Sequence, residues 1–249
     1  MSVSLRQAIF RTQWVPPERP LATADPAPVL RQLLGYRHAG DIGKAFITDV
    51  SILQQVRRLR RPHFNVNVIS IGFDDLPNQS EAEAEHRVDM ALMRSRDIFD
   101  AVGIGIGRVL RFAVRAGPGR DNRIDSIQEF HDLTNAWTVH RDGIDAFMVS
   151  SVSIEEDFEE AGSAGISPQT GPCNKDDTTG ATGIAVALQN DPVVMGDVLA
   201  HELCHYLGLH HDDSDGMNLM FPVRNGVHLT AEQATTMREH CMMRAPLRG

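Results

Sequence analysis

The sequence predicts a mixed α+β fold, with a twisted mixed sheet, long helices and a helix near the C-terminus. Strand-like and helix-like segments alternate between residues 65 and 188, as in an α/β-type layer. The 249 residues are 42% hydrophobic and 23% charged, a globular composition with enough chain to bury a core. The sequence has no internal repeat and no low-complexity block, which argues against a solenoid and against a disordered protein.

The first 60 residues differ from the remainder. Residues 1–30 contain five prolines, which predict an extended arm. Residues 46–61 predict a helix whose arginines suit its C-terminal end. We therefore expect residues 1–60 to be an N-terminal extension, either an arm on the body or a removable pro-segment, and residues 61–249 to form one domain.

From residue 65 the elements follow in order. In Asn65–Phe73 polar and apolar residues alternate and Val and Ile are frequent, which predicts a strand. Pro77–Asp100 predicts a long helix capped by Ser80. The glycines of the next strand, Gly103–Ala116, lack the spacing of a dinucleotide-binding loop. The further predicted elements are a helix at Asp125–Val139, strands at Gly143–Ser153, Ser163–Pro168 (an edge strand) and Ile184–Leu188, and a helix at Ala231–Met242 whose capping box pairs Thr230 with Gln233.

Charge and hydropathy exclude several classes of protein. The net charge of −9 argues against a nucleic-acid partner, which requires a basic surface. No apolar run is long enough to span a bilayer. No classical signal peptide is visible, so we expect either export by a non-classical route or a cytoplasmic location. The oligomeric state is not indicated.

The segment Asp191–Pro222 carries the chemistry. Asp191 followed by proline begins a helix. On this helix His201 and His205 are one turn apart, so both imidazoles can reach one metal ion. Glu202 lies beside them, where a carboxylate can act on a metal-bound water without binding the metal.

Gly208 ends this helix and reverses the chain. His211 can then return as a third ligand, whereas its neighbour His210 lacks the required spacing from the glycine. The complete pattern, H-E-x-x-H-x-x-G-x-x-H, predicts one catalytic Zn²⁺ held by three histidines.

With this motif the sequence resembles the metzincin clan of zinc endopeptidases. The turn methionine that the clan has beneath its metal corresponds to Met220 in Asn218-Leu219-Met220, with Met217 as a nearby competitor. The segment from Ser163 through Gly-Pro-Cys173 is similar to pappalysins, whereas Asp212 after the last histidine is similar to the adamalysin (reprolysin) pattern. Both subfamilies therefore stay open.

The resemblance implies a metzincin-like catalytic domain over residues 61–249. A twisted sheet would lie over the active-site helix, followed by an irregular lower subdomain that ends in the C-terminal helix. A protein or peptide substrate would bind in extended form, antiparallel to the edge strand. The substrate-binding residues that it implies are Gly165, Ile166, Ser167, Pro222 and Val223.

The implied activity is that of a zinc metalloendopeptidase. Three imidazoles leave a position open for water, and Glu202 acts as the general base on this zinc-activated water. Some metzincins carry an assisting tyrosine two residues after the turn methionine, where this chain has Pro222. Two alternatives use the same residues: a zinc hydrolase of a small amide or ester, and a catalytically silent zinc-binding interaction domain, against which the presence of Glu202 counts.

The three cysteines and one acidic turn complete the candidate residues. Cys204, on the active-site helix, is predicted to be a buried thiol. Cys173 could bridge Cys241 or act as a metal-blocking thiol. The acidic turn is predicted to be a solvated loop, with a calcium site as the alternative; its residues are Asp212, Asp213 and Asp215.

Overall fold

A computed structural model of the chain describes residues 61–115, 122–139, 142–154, 164–175, 180–222 and 226–246. The predictions for residues 1–60 lie outside these ranges. Within these ranges, no helix combines the length and the apolar character that crossing a membrane requires.

Five strands form the main sheet, which confirms the mixed α+β class. Three central strands are buried along their whole length, which explains why their sequences are almost continuously apolar. In spatial order the strands are β2 (Gly105–Val114), β1 (His63–Ile71), β4 (Ile144–Val149), β7 (Gly183–Ala187) and β6 (Gly165–Ile166). Neighbouring strands run parallel except β6, which pairs antiparallel with β7 at the edge. A second small sheet pairs β3 (Arg123–Ile124) with β5 (Ser151–Val152).

The described helices are α1 (Glu81–Ala101), α2 (Ile127–Ala136), α3 (Pro192–Tyr206) and α4 (Ala231–Glu239), with one 3₁₀ turn at Phe73–Asp75. Three of them begin with the predicted caps, and Asp191 is the cap of α3. Ser80 accepts a hydrogen bond from the Glu83 amide of α1. Thr230 accepts one from the Gln233 amide of α4. The caps at Ser80 and Thr230 are reciprocal capping boxes.

Helix α3 is fixed between α1 and the sheet. The Ser95 hydroxyl of α1 donates a hydrogen bond of 2.8 Å to the carbonyl of Gly196. A Cβ atom at Gly196 would lie 2.5 Å from Cβ of Arg94, so glycine permits this close crossing. On its other side α3 packs against β7 and β6. Helix α3, which carries His201 and His205, is therefore held at the edge of the sheet.

The elements predicted from residue 65 onward are present with boundaries that differ by up to four residues, and two of these differences have a tertiary cause. The strand predicted at Gly143–Ser153 is divided at Ser150, whose amide donates to Asn122 as the chain leaves β4 for the small sheet. The last helix ends at Glu239 rather than Met242. Beyond it the chain extends, and Arg244 exchanges backbone hydrogen bonds with His63 at the start of β1.

Candidate metal centre

The ends of α3 are set by local sequence. Asp191 accepts a hydrogen bond of 2.8 Å from the Val193 amide, and the proline after it occupies the first turn. At the other end Gly208 has a φ of 97°, the left-handed conformation that glycine tolerates. The amides of Gly208 and Leu209 donate to His205 and Cys204, which is the Schellman pattern of helix termination.

The three predicted histidines converge. Nε2 of His201 lies 2.9 Å from Nε2 of His205 and 3.3 Å from Nε2 of His211. One ligand atom from each ring falls within 4.8 Å of the others, and within the described ranges this is the one His, Cys, Asp or Glu group that could hold a metal ion. His210 is exposed and does not join the group.

Backbone carbonyls define the tautomers of two rings. Nδ1 of His201 lies 2.7 Å from the carbonyl oxygen of Leu219, and Nδ1 of His205 lies 2.7 Å from that of Leu209. A carbonyl oxygen only accepts, so each Nδ1 carries the proton and donates it. When such a ring is neutral its Nε2 has a lone pair, and the Nε2 atoms of the two rings face each other.

Two lone pairs that face each other repel, and a cation bound between them removes this repulsion. Burial, followed by the neighbouring His201, lowers the pKa of His205 to about 3, so this imidazole is neutral at ordinary pH. Ligands about 2.0–2.1 Å from a tetrahedral Zn²⁺ are roughly 3.3 Å apart, close to the Nε2 separations of 2.9 and 3.3 Å. The residues present therefore fit a zinc ion.

Glu202 lies between the helix and the edge strand. Only 7% of the residue is exposed. A Cβ atom at Gly165 would lie 2.7 Å from both Cγ and Oε1 of Glu202 and 2.8 Å from Val198. The edge strand therefore contacts the glutamate directly, and the missing side chain at Gly165 makes room for it.

The structure brings together part of the predicted substrate-binding set. Gly165 is buried against Glu202, and Ile166 and Ser167 follow it, half-buried, along the edge strand. Pro222 is half-buried after the turn. Val223 lies outside the described residues. The role of these positions in substrate binding stays a prediction.

A turn at residues 218–220, here the 218–220 turn, lies next to the histidines. The Leu219 carbonyl accepts a hydrogen bond from Nδ1 of His201. The Met220 carbonyl accepts one of 2.8 Å from the amide of Asp212, the residue after His211. Met220 is fully buried, whereas Met217 is 54% exposed. The role of Met220 as the turn methionine stays a prediction.

The cysteines divide as one pair and one free thiol. Cys173 forms a disulfide with Cys241, so its sulfur is not available as a metal-blocking thiol. Cys204 is a buried free cysteine, as predicted, and burial raises the pKa of its thiol. In the acidic turn, carboxylate oxygens of Asp212 and Asp215 accept hydrogen bonds from the amides two residues further on. The calcium site stays an untested prediction.

Sequence reasoning missed two groups of partners. The first is the carbonyls of Leu209 and Leu219, since every residue has a carbonyl and no pattern marks these two. The second is Asn218, whose side chain reaches Gln233. An asparagine side chain commonly accepts from the backbone two residues further on in a turn, as Asn218 does from the Met220 amide, and this signal was available.

No protein-family model matches the sequence, and no curated protein matches it. Among solved structures, metalloproteinase-II from Bacteroides fragilis is similar, with a TM-score of 0.48, 13% identity and coverage of 72% of this chain and 53% of that chain. Archaemetzincin from Methanopyrus kandleri gives a TM-score of 0.47 and 13% identity over 71% of this chain and 94% of its own. The chain thus spans about half the length of the Bacteroides protein.

Proposed function

We propose that the chain is a zinc-dependent endopeptidase of the metzincin type. The convergence of three histidine Nε2 atoms beside the buried Glu202 carries the proposal. His201, His205 and His211 would hold the ion through Nε2. When bound, zinc supplies a Lewis acid that polarises the scissile carbonyl and lowers the pKa of water towards 7.

Glu202 would move the proton. Its carboxylate accepts a proton from the attacking water as the new C–O bond forms, and donates it to the amide nitrogen as the C–N bond breaks. The products are one carboxyl end and one amine end. Helix α3 orients both the carboxylate and two of the ligands, so their relative position does not depend on a mobile loop.

The edge strand would orient the substrate. Within the described residues β6 has a sheet neighbour, β7, on one side only. A peptide that adds to its other side would form backbone hydrogen bonds that demand little of the peptide sequence. The contact between Gly165 and Glu202 supports this arrangement, because a peptide on that edge passes close to the carboxylate.

The disulfide favours an oxidising location. Disulfides persist in secreted and periplasmic proteins and are rare in the reducing cytosol. Of the two locations predicted from sequence, the Cys173–Cys241 bond therefore supports the exported one.

The first experiment is to compare the chain with Glu202→Gln on a library of fluorescence-quenched peptides, with metal content measured in parallel. The amide keeps the shape of the side chain but cannot accept the proton. We expect one zinc per chain in both proteins and a rate lower by about 10²–10⁴-fold in the variant. Exposed Glu239→Gln is the matched control and should cleave normally.

Three outcomes would contradict the proposal. Full cleavage by zinc-loaded Glu202→Gln would require another base. Zinc binding without cleavage of any peptide or ester favours the silent interaction domain. Hydrolysis of small esters or amides, with no peptide cleaved, favours the small-molecule hydrolase. Removal of zinc by a chelator and its restoration should abolish and return the peptide activity.

A further inference from the structure

A pair of side-chain amides joins the 218–220 turn to helix α4. Nδ2 of Asn218 donates a hydrogen bond of 3.0 Å to Oε1 of Gln233. Nε2 of Gln233 donates one of 3.1 Å to Oδ1 of Asn218. Asn218 is only 1% exposed, so these bonds are largely shielded from water. The two residues form a closed amide pair with one hydrogen bond in each direction.

The orientation of both amides follows from their other partners. Oδ1 of Asn218 also accepts 2.8 Å from the Met220 amide, and Oε1 of Gln233 also accepts 2.9 Å from the Thr230 amide. A backbone N–H can only donate, so both oxygens are identified by chemistry. Neither amide can flip without losing a hydrogen bond to the backbone.

The amide pair is connected by hydrogen bonds of the 218–220 turn to His201 and to the neighbour of His211. The turn that Asn218 holds presents the Leu219 carbonyl to His201 at 2.7 Å. Its Met220 carbonyl accepts from Asp212, the neighbour of His211, at 2.8 Å. Nε2 of Gln233 also lies 3.5 Å from a carboxylate oxygen of Asp212. A shift of Gln233 would therefore displace both the carbonyl that orients His201 and the backbone next to His211.

We propose that Asn218 and Gln233 are positioning residues that set the affinity of the three-histidine centre for zinc. This inference rests on the zinc function proposed above. The pair touches neither the metal nor a substrate; it fixes the carbonyl that orients the His201 ring and the backbone that carries His211. Partners of this kind orient metal ligands and typically contribute 10–100-fold in metal affinity.

Gln233 has a second role, and the test must separate the two. Its Oε1 belongs to the capping box of α4 with Thr230. Gln233→Glu keeps an oxygen for the Thr230 amide, since glutamate suits this position of a capping box. The new second oxygen faces Oδ1 of Asn218 and the Asp212 carboxylate, so the amide pair is lost. Thr230→Ala is the matched control, because it removes the hydroxyl of the cap and leaves the amide pair.

The experiment measures the zinc dissociation constant of the full chain by competition with a chromophoric chelator. We expect Gln233→Glu to bind zinc about 10–100-fold more weakly and Thr230→Ala to bind it like the wild type. The added carboxylate by itself favours cations, so a weaker affinity has the opposite sign to the charge effect. Cobalt absorption bands, which report coordination geometry, should change in Gln233→Glu and not in Thr230→Ala.

A double-mutant cycle provides a second test with uncharged variants. If the two amides act as a pair, Asn218→Ala and Gln233→Ala each weaken zinc binding, and the double variant loses little more than the worse single variant. Independent, multiplying losses would overturn the inference. So would a Gln233→Glu protein that binds zinc like the wild type. A wild-type chain that binds no zinc instead removes the proposed function, and the inference with it.

Discussion

Met217 and Met220 lie three positions apart but in opposite environments. Met220 is fully buried and Met217 is 54% exposed. Met220→Leu, which nearly conserves volume, should cost less than about 1.5 kcal/mol of unfolding free energy. Met220→Ala should cost about 2–5 kcal/mol because it opens a cavity. Thermal or denaturant unfolding measures both.

Met217→Ala is the control for this pair and should change stability little. If Met217→Ala were the damaging change and Met220→Ala had no effect, the turn would have been assigned to the wrong methionine. Zinc content, measured in the same samples, should be retained in Met220→Leu.

The absence of a side chain at Gly165 sets the place of the Glu202 carboxylate. Gly165→Ala would put a Cβ atom 2.7 Å from two atoms of Glu202, a distance at which the carboxylate must move. Because a displacement of about 1 Å can cost roughly 10²-fold in rate, we expect a loss of that order with zinc retained. Peptide cleavage and metal analysis on the same preparation measure it.

Gly180→Ala is the matched control, because a Cβ atom there meets nothing within 4 Å. It should leave the rate unchanged. Normal peptidase activity in Gly165→Ala would mean that Glu202 tolerates displacement or is not the base.

A buried ion pair joins β4 to the loop that contains Cys173. Nζ of Lys175 lies 2.5 Å from Oδ1 of Asp145, and both side chains are almost completely buried. Burial raises the pKa of Asp145 and lowers that of Lys175, although each partner opposes the shift of the other. Lys175→Met should therefore leave an uncompensated carboxylate and cost about 3–5 kcal/mol at pH 7.

The pH dependence of that loss has a definite sign. Without the lysine the native pKa of Asp145 rises further above its ordinary value of 3.8. Between these two pKa values the native state holds a proton that the unfolded state has released, so stability falls as pH rises. The loss of unfolding free energy in Lys175→Met should thus be small below the ordinary pKa of Asp145 and grow towards neutral pH. The double change Asp145→Asn, Lys175→Met should recover much of it; a deficit that does not vary with pH would contradict this account.

At the scale of elements, capping residues and hydrophobic periodicity predicted the features that depend on nearby residues alone. Ser80, Asp191 and Thr230 begin their helices as predicted, because each cap acts on amides within three residues. The strand at Gly143–Ser153 was predicted as one piece, because periodicity does not reveal that Ser150 bonds to Asn122. The last helix was predicted too long, because periodicity does not reveal that the chain extends beyond it and pairs Arg244 with His63.

In the candidate site, too, the features set by local sequence were predictable and those that join distant segments were not. The spacing of His201, His205 and His211 was predictable because one helix and one glycine bring them together. The hydrogen bond from His201 to Leu219 and the contact of Glu202 with Gly165 were not, because they join segments that are distant in sequence. Which carbonyl or glycine meets a side chain across the fold depends on the packing of whole elements.

At the scale of the molecule, the disulfide ties the segment that follows α4 to the loop that packs against the end of α3. Cys173 bonds to Cys241. Just before it, Gly171 donates 2.8 Å to the carbonyl of Tyr206, and Pro172 accepts from the Tyr206 hydroxyl at 3.0 Å. The bond therefore stabilises both the overall fold and the loop that packs against the last residue of α3.

Loss of this bond should be visible in stability. For two cysteines 68 residues apart, the chain-entropy model gives about 4 kcal/mol. We expect a dithiol reductant to lower the melting temperature of the wild type. Cys173→Ser with Cys241→Ser should melt at the lower temperature with or without reductant. If reduced and oxidised wild type melt alike, the bond contributes nothing to the folded state.

The register of the sheet has a consequence for the rate at which the chain folds. Val66 in β1 pairs with Val109 on one side and Ile144 on the other, so neither neighbour is close in sequence. Each pairing closes a long loop before its hydrogen bonds repay the lost chain entropy, and such topologies fold slowly. Helix α3, by contrast, needs only local bonds to bring His201 and His205 together. The chain can therefore present two of its three candidate ligands on one face long before the strand that contacts Glu202 has found its place.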